Sequence, residues 1–408
     1  MVQRIGGTGL QVVRHMEVVI VTGHFMPEVG YQEVYLARAF SRLGHTVHVI
    51  ASDRPSPSAR GVMTSSYRRG FQRDDRHGYT ILRLPATVSA GSLVLSPGLR
   101  SALAEISPDL VVVIGVGKLF PLPVLTGPEK RRHRLIALFG DNSDFSNFNK
   151  PKARLLRYLV KNRAYRLAVR SCDRLYLYTP ETESLLLSSL PDSLRASFLE
   201  KRVASTLGYD PEEFYFDGKE RRRVRDKLKI TEEEVVFITS TRITPEKRID
   251  EVVPLVSRMR KEGKKVRYII IGCLADPCGR RLKSLLEKQP DPGIFLAYPF
   301  LDHGRVREFC CASDLGVWTR PSISIQEAMG TGLPVVLARR PGLMHLVQQG
   351  ANGWYFEMES PSPILEKAYS EVAERDQEAR LAWRRQLAAR NRHNLSYHRI
   401  AESMLVWS

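Results

Sequence analysis

From Met16 the chain alternates short β-branched runs with segments whose apolar residues recur at helical spacing, and this alternation limits its fold more than any other feature. Glu17 to Thr22 is one such run; a turn with Pro27 and Gly30 follows, then Glu33 to Leu43 at helical spacing, then Gly44 and a second run, Thr46 to Ala51. A strand, a crossover helix and a strand within about 35 residues make a βαβ unit, whose right-handed crossover puts the first turn at the carboxyl edge of a parallel sheet. Further strands are expected at Thr80 to Leu84, Leu110 to Ile114, Arg134 to Phe139 and Arg174 to Tyr178.

Thr206 to Phe214 reads as a turn-rich connector and Arg221 to Lys229 as a charged helix, after which the pattern restarts. The second series predicts strands at Val235 to Ser240, Arg267 to Ile271, Ile294 to Leu296, Leu315 to Trp318 and Pro334 to Leu337. Helices are expected between them at about Arg248 to Lys261, Arg280 to Gln289, Val306 to Ala312 and Ile325 to Gly330. The fold class expected is α/β, with two Rossmann-like doubly wound domains facing across a cleft. The expected divisions are an amino-terminal extension over 1–15, a first domain over 16–207, a second over 208–385, and a carboxyl-terminal helix over 386–408 returning to the first domain.

A length of 408 residues agrees with two domains rather than one core. The 43% hydrophobic and 26% charged content excludes wholesale disorder and a polytopic membrane protein. No run reaches about 18 apolar residues, no signal peptide is legible, and the five cysteines lack C-x-x-C zinc spacing, so a reduced, cytoplasmic setting is expected. The charge is unusual. Sixty-two Lys and Arg against forty-four Asp and Glu give +18; residues 1–210 hold 29 basic and 17 acidic side chains and residues 211–408 hold 33 and 27, so the first half carries +12 and the second +6. An excess of this size calls for an anionic partner: a phosphorylated ligand, an acidic membrane or a nucleic acid.

Two segments carry the chemistry. In Ser240-Thr-Arg-Ile-Thr-Pro-Glu-Lys247 a strand ends in a loop bearing Arg242 and Lys247, and a helix is expected to begin beside Pro245. A forked guanidinium and a point-charge ammonium five residues apart at a helix amino terminus suit a diphosphate. Solvated loop cations are the competing reading. In Trp318 to Val336 a strand ends in a serine-bearing turn that opens a short helix with Glu327, and Gly330-Thr-Gly-Leu-Pro334 follows. Ser322 and Ser324 can take phosphate oxygens, and the Glu327 carboxylate can hold a ribose diol. The alternative is that Ser322 only caps the helix and Glu327 faces solvent.

Taken together, Pro27-Glu-Val-Gly-Tyr-Gln-Glu33, the following LARAFSRLGHTVHVIAS, the connector LGYDPEEF, the Arg242 to Lys247 loop, Ala312-Ser-Asp-Leu-Gly-Val317, Glu327-Ala-Met-Gly-Thr-Gly-Leu-Pro-Val-Val336 and Leu395-Ser-Tyr-His-Arg-Ile-Ala401 occur in an order that resembles the GT-B glycosyltransferases of family 4. Such enzymes transfer a sugar from a nucleotide donor with retention of configuration. The resemblance implies that Arg242 and Lys247 bind the donor diphosphate, that Glu327 holds the ribose, that Gly30 lets the backbone approach the donor phosphates, and that the base lies near Ala297 to Phe300. It implies no metal and no cofactor beyond a UDP- or GDP-linked sugar as substrate. Two positions depart from the family: Thr319 stands where a glutamate commonly contacts the donor sugar, and Gly140 where a first-domain histidine is usual. Gly30-Tyr31 also replaces the glycine pair of many relatives. Asp141, Asn142 and Asp144 are polar candidates near the acceptor, with Asp141 the catalytic candidate and a structural turn the alternative.

Lys150 to Arg170 holds eight Lys or Arg and no acid, with leucines and valines at helical spacing, and reads as a basic helix for an anionic membrane or as a solvated surface helix. The expected partners are a nucleotide-sugar donor, a glycan or lipid-linked acceptor and the inner membrane face. A catalytically silent relative is the alternative motivated by Thr319 and Gly140. A nucleic-acid binder rests on charge alone, without a recognition pattern, so no specific nucleic acid is expected. A nucleotide-sugar epimerase would need acidic and histidine groups that the sequence does not place.

Overall fold

The computed structural model describes residues 14–27, 30–56, 70–74, 77–90, 93–127, 132–142 and 160–406. The chain divides into two compact units: unit 1 runs to Thr206 and takes in the chain again from Ala401, and unit 2 is Leu207–Ile400. Residues 386–400 therefore stay with unit 2, and the part that returns to unit 1 is shorter than the expected 386–408.

Unit 1 contains β1 (Glu17–Val21), α1 (Gln32–Arg42), β2 (Thr46–Ser52), β3 (Gly70–Asp74), β4 (Tyr79–Leu84), β5 (Val88–Ala90), β6 (Leu93–Leu95), α2 (Leu99–Ile106), β7 (Leu110–Ile114), α3 (Leu122–Leu125), β8 (Arg134–Phe139), α4 (Asn162–Ser171), β9 (Arg174–Leu177), α5 (Pro180–Leu187), α6 (Asp192–Lys201) and β10 (Arg202–Ala204). Its main sheet has the order β10-β9-β8-β7-β1-β2-β4-β3. All neighbours pair in parallel except β3, which runs antiparallel to β4. Val18–Val21 and Leu110–Val113 are fully buried, as parallel strands covered on both faces must be, which explains their uninterrupted apolar runs. Residues 1–13 lie outside the described residues; His15, placed by sequence in an extension, bonds through Nδ1 to the Gly44 carbonyl (2.8 Å) and through Nε2 to Thr46 Oγ1 (2.9 Å).

Unit 2 contains α7 (Gly218–Lys227), β11 (Val235–Ser240), a 3-10 turn (Pro245–Lys247), α8 (Ile249–Lys261), β12 (Val266–Ile271), α9 (Pro277–Glu287), β13 (Phe295–Tyr298), α10 (His303–Ala312), β14 (Leu315–Trp318), α11 (Ile323–Gly330), β15 (Val335–Ala338), β16 (Gly353–Phe356), α12 (Ser362–Ala373), α13 (Gln377–Leu395) and α14 (Tyr397–Leu405), the last passing into unit 1. The sheet order is β13-β12-β11-β14-β15-β16, all parallel. Buried Asp314 ties α7 to this sheet: it accepts from Arg221 (2.8 Å), from Arg225 (3.1 Å) and from the Val236 N–H (2.8 Å). These two arginines hold the Asp314 carboxyl down to about 2 against the burial that would raise it.

The strands expected from β-branched runs are present, with ends shifted by a residue or so. The short β3, β5, β6 and β10 were not legible, nor was β16, whose Trp-Tyr-Phe run lacks the β-branched signal.

Candidate functional site

Each sheet has one place where the strand order reverses, and in open α/β sheets ligands bind at the carboxyl ends of those strands. In unit 2 the chain goes from β11 outward through β12 and β13, then returns to β14 on the other side of β11. The reversal lies between β11 and β14, and the loops leaving these strands are the two segments singled out in the sequence.

Hydrogen bonds join the two exits. The Ser240 carbonyl accepts from Trp318 Nε1 (3.1 Å) and from the Ser324 hydroxyl. Lys247 Nζ donates to the Pro321 carbonyl (2.6 Å), the Thr319 hydroxyl donates to the Lys247 carbonyl, and Arg320 Nε donates to the Glu246 carbonyl (3.2 Å). Arg340 Nε, from beyond β15, reaches the Thr319 carbonyl at 2.9 Å. Arg242 is exposed and makes no hydrogen bond or ion pair with any described residue. The structure thus places Arg242, Lys247, Thr319 and Ser322 on two adjoining loops, with Ser324 in the first turn of α11.

Several expectations change in detail. The helix after the cationic loop does not begin beside Pro245: a 3-10 turn spans Pro245–Lys247, Arg248 turns the backbone into the left-handed region (φ 45), and α8 begins at Ile249. Pro245 supplies the fixed φ of the turn's first position. Ser324 is buried with its hydroxyl committed to Ser240, so the expectation that this hydroxyl takes a phosphate oxygen is corrected. Ser322 is the N-cap of α11 by position, yet its side chain makes no cap bond and faces Ser324 Oγ at 2.8 Å, which removes the simple capping alternative. Glu327 is buried, against the alternative that it faces solvent. Close packing beneath α11 explains the small residues after Glu327: Gly332 has φ 71, and a Cβ there would lie 2.0 Å from the Arg384 carbonyl oxygen of α13.

For the base, the segment Ala297 to Phe300 leaves β13 at the same edge of the sheet, with the Phe300 ring 59% exposed and the Tyr298 carbonyl engaged by the Gly272 N–H (3.0 Å).

In unit 1 the order reverses between β1 and β7. Gly30 lies in the turn after β1 with φ 68, a conformation that glycine adopts without strain. Tyr31 caps α1 by position only, with no side-chain bond to the helix. At the exit of β8, Asp141 is held by Lys161 Nζ (2.6 Å) and the Tyr165 hydroxyl (2.5 Å), while its carbonyl accepts from Thr182 Oγ1 (3.0 Å). These bonds are what the structural-turn alternative for Asp141 expects. Asn142 is buried, and Asp144 lies outside the described residues. The ring of Tyr178 lies against Gly140, the position where the resemblance implies a histidine.

His24, Glu33 and Lys118 also stand at this reversal, and no motif in the sequence marks them as ligands. All three belong to the β1 and β7 exits or to the first turn of α1. His24 and Glu33 are only 7% and 8% exposed. Burial lowers the His24 pKa, and burial raises that of Glu33 to about 7; the Lys118 ammonium acts on both. An ionisable residue just after a strand's end was the signal available.

Comparison with known proteins bears on the fold and on the second unit. Residues 220–388, within unit 2, match the family described as Glycosyl transferases group 1. Over 130 residues the chain is 27% identical to a Salmonella typhimurium protein and 26% identical to an Escherichia coli protein, both named "Putative colanic acid biosynthesis glycosyltransferase WcaL". Each match covers 29% of this chain and 31% of the relative, so the chain spans about a third of the length of the curated relatives it matches. Among solved structures, Anabaena HepE in complex with UDP superposes with a TM-score of 0.69 at 16% identity, over 95% of this chain and 98% of that one. WaaG, a glycosyltransferase involved in lipopolysaccharide biosynthesis, gives 0.61 at 17% identity over 95% and 99%. Sucrose-phosphate synthase from Thermosynechococcus elongatus gives 0.66 at 15% identity over 96% and 97%. The chain has the GT-B fold of these glycosyltransferases, and its second unit is similar in sequence to the group 1 glycosyl transferases.

Proposed function

We propose that the protein is a family 4, GT-B glycosyltransferase that moves a sugar, with retention and without a metal, from a UDP- or GDP-linked donor to a glycan or lipid-linked acceptor. The observation that carries this reading is the meeting of the Arg242–Lys247 loop with the Thr319–Glu327 segment at the reversal of the unit 2 sheet, inside the stretch that matches the glycosyl transferases. Arg242, which has no partner among the described residues, would take the diphosphate in a forked, charge-assisted contact, and Lys247 would add a second cation as the nucleotide leaves. Glu327 would hold the ribose and the backbone at Gly30 would approach the donor phosphates. No group in this scheme needs a divalent ion.

An anionic acceptor or membrane face accounts for the remaining charge. On α4 the residues Arg163, Arg166 and Arg170 are exposed opposite buried Ala164, Tyr165, Ala168 and Val169, and no described residue pairs with them. Residues 150–159, the other part of the expected basic helix, lie outside the described residues. Three such arginines contribute about 1 kcal/mol each near an acidic leaflet. No helix among the described residues is long and apolar enough to cross a membrane, so contact there would be peripheral. Colanic acid biosynthesis, which the names of the two relatives give, is a fitting setting.

The test is release of UDP or GDP from a panel of nucleotide sugars, with and without a chelator, together with anomeric analysis of the product. Arg242→Ala and Lys247→Ala should each lower turnover by about a hundredfold or more; unchanged turnover in both would sink the proposal. The second reading, a silent relative that binds nucleotide without transfer, is favoured by Tyr178 covering Gly140. Nucleotide binding with no turnover of any donor would support it.

A further inference from the structure

Within unit 2 a cavity of about 260 Å³ opens between α8, α9 and the cationic loop, and none of Arg242, Lys247, Thr319 and Glu327 lines it. The loop contributes Ile243 and Pro245, α8 contributes Ile249 and Asp250, and α9 contributes Arg281 and Leu282. Ile243, Ile249 and Leu282 are buried and continuous with the core of the unit, so the floor is apolar. A Cβ at Gly272 would lie 2.4 Å from the Thr241 carbonyl oxygen and 2.7 Å from Ile243 Cγ1, so the exit of β12 presses on the start of the loop. α9 is held at the same exit. Its N-cap Asp276 accepts from the Gly279 N–H (2.7 Å), and a Cβ at Gly279 would lie 2.3 Å from the Cys273 carbonyl oxygen.

Two lining side chains carry opposite charge and do not meet. Asp250, in the first turn of α8, and Arg281, one turn into α9, are exposed, and neither makes a hydrogen bond or ion pair with any described residue. Their neighbours are engaged: Arg248 pairs with Glu251, and Arg280 donates to the Ala275 carbonyl. The cavity therefore presents a carboxylate acceptor and a forked guanidinium donor at separate points above a hydrocarbon floor. A few polar groups placed around an apolar hollow fix the orientation of a small ligand. The ligand that fits carries an ammonium, a carboxylate and an apolar body that leaves water on binding.

We propose that this cavity is an effector site for an α-amino acid with a large apolar side chain. That side chain packs on Ile243, Ile249 and Leu282, Asp250 accepts from the ammonium, and Arg281 donates to the carboxylate. Ile243 and Pro245 stand between Arg242 and Lys247 in the chain, so an occupant braces the loop that carries both cations. The amino acid and a nucleoside diphosphate then favour each other's binding by the same factor. The site itself does not depend on the transfer reading given above, whereas its coupling to the nucleotide rests on it.

The full chain is titrated calorimetrically with UDP, with leucine, and with leucinamide, 4-methylpentanoate and glycine, which lack in turn the carboxylate, the ammonium and the hydrocarbon body. Leucine should bind saturably, and each of the other three about tenfold more weakly or worse. Asp250→Asn and Arg281→Met should each weaken leucine about tenfold or more and leave UDP affinity without leucine unchanged. Saturating leucine should tighten UDP about fivefold, and saturating UDP should tighten leucine equally. Cys278 also lines the cavity, while Cys172, Cys310 and Cys311 are buried. In a Cys273→Ser chain leucine should therefore slow alkylation of Cys278 by N-ethylmaleimide, which binding elsewhere would not do. The proposal is overturned if leucine does not bind, if leucinamide or 4-methylpentanoate binds as tightly, if both variants bind leucine as the unaltered chain does, or if leucine leaves the alkylation rate unchanged. Protection of Cys278 with no change in UDP affinity would overturn the coupling. Leucine binding at Cys278 in a chain that does not bind UDP would support the site and remove the transfer reading alone.

Discussion

Tyr178 lies against Gly140 so closely that a Cβ at residue 140 would stand 2.9 Å from its Cδ2 atom. The ring, at the exit of β9, fills the space a side chain at the exit of β8 would need. Gly140→Ala should therefore cost about 1–3 kcal/mol, the usual cost of overpacking. In a Tyr178→Ala background the same change should cost much less. Urea unfolding of the four chains of this cycle measures the coupling, and additive costs would show that the ring is not the obstacle.

Thr319, only 4% exposed, joins the two exits of unit 2 by donating to the Lys247 carbonyl and accepting from Arg340. Thr319→Val keeps the shape but leaves the Lys247 carbonyl without that donor. A loss of about 1–2 kcal/mol is expected, with weaker UDP binding because the loop bearing Arg242 and Lys247 loosens. Calorimetric titration with UDP checks the second effect; unchanged affinity would mean that the loop is held by its other bonds.

Glu33 gives a pH dependence of defined sign. Its carboxyl moves from 4.5 to about 7 on folding, chiefly by burial, so the folded chain favours the protonated form. That contribution is fully present below pH 4.5 and is lost as pH rises through about 7. Relative to Glu33→Gln, the unaltered chain should lose up to about 3 kcal/mol between pH 4.5 and 8. Unfolding free energies at several pH values compare the two chains, and parallel curves would show that Glu33 is already ionised when folded.

Asp314 works in the opposite sense. Its carboxyl is held at about 2, below its ordinary 3.8, so the stability it contributes is present above pH 3.8 and disappears as pH falls through about 2. Asp314→Asn leaves Arg221 and Arg225 short of a counter-charge in the interior and should cost about 3–5 kcal/mol at neutral pH. A thermal melt reads the loss, while near-equal melting of the two chains would show that Glu232, within 3.5 Å of both arginines, suffices alone.

The elements that position the sites were legible because burial on both faces demands an unbroken apolar run, as at Val18–Val21, Leu110–Val113 and Val235–Ile238. The cationic loop and the serine-bearing turn were legible for a related reason, since each follows such a run directly. β16 was not, because its place beside β15 is set by pairing with Val335–Ala338 and not by its own composition.

What the sequence determined by itself is local: which segments are strands, which residues stand at their carboxyl ends, and how much charge the chain carries. Only the tertiary structure decided which of those residues remain available. Ser324 and Asp141 look like ligands in sequence, but partners far along the chain, Ser240 at the end of β11 for the one and Lys161 beside α4 and Tyr165 on it for the other, take up hydrogen bonds of theirs. Among the described residues Arg242 keeps its charge unpaired and His24 keeps a buried nitrogen unsatisfied. The physical reason is that a polar group's partners come from residues far along the chain, so its satisfaction is a property of strand order and not of the sequence around it.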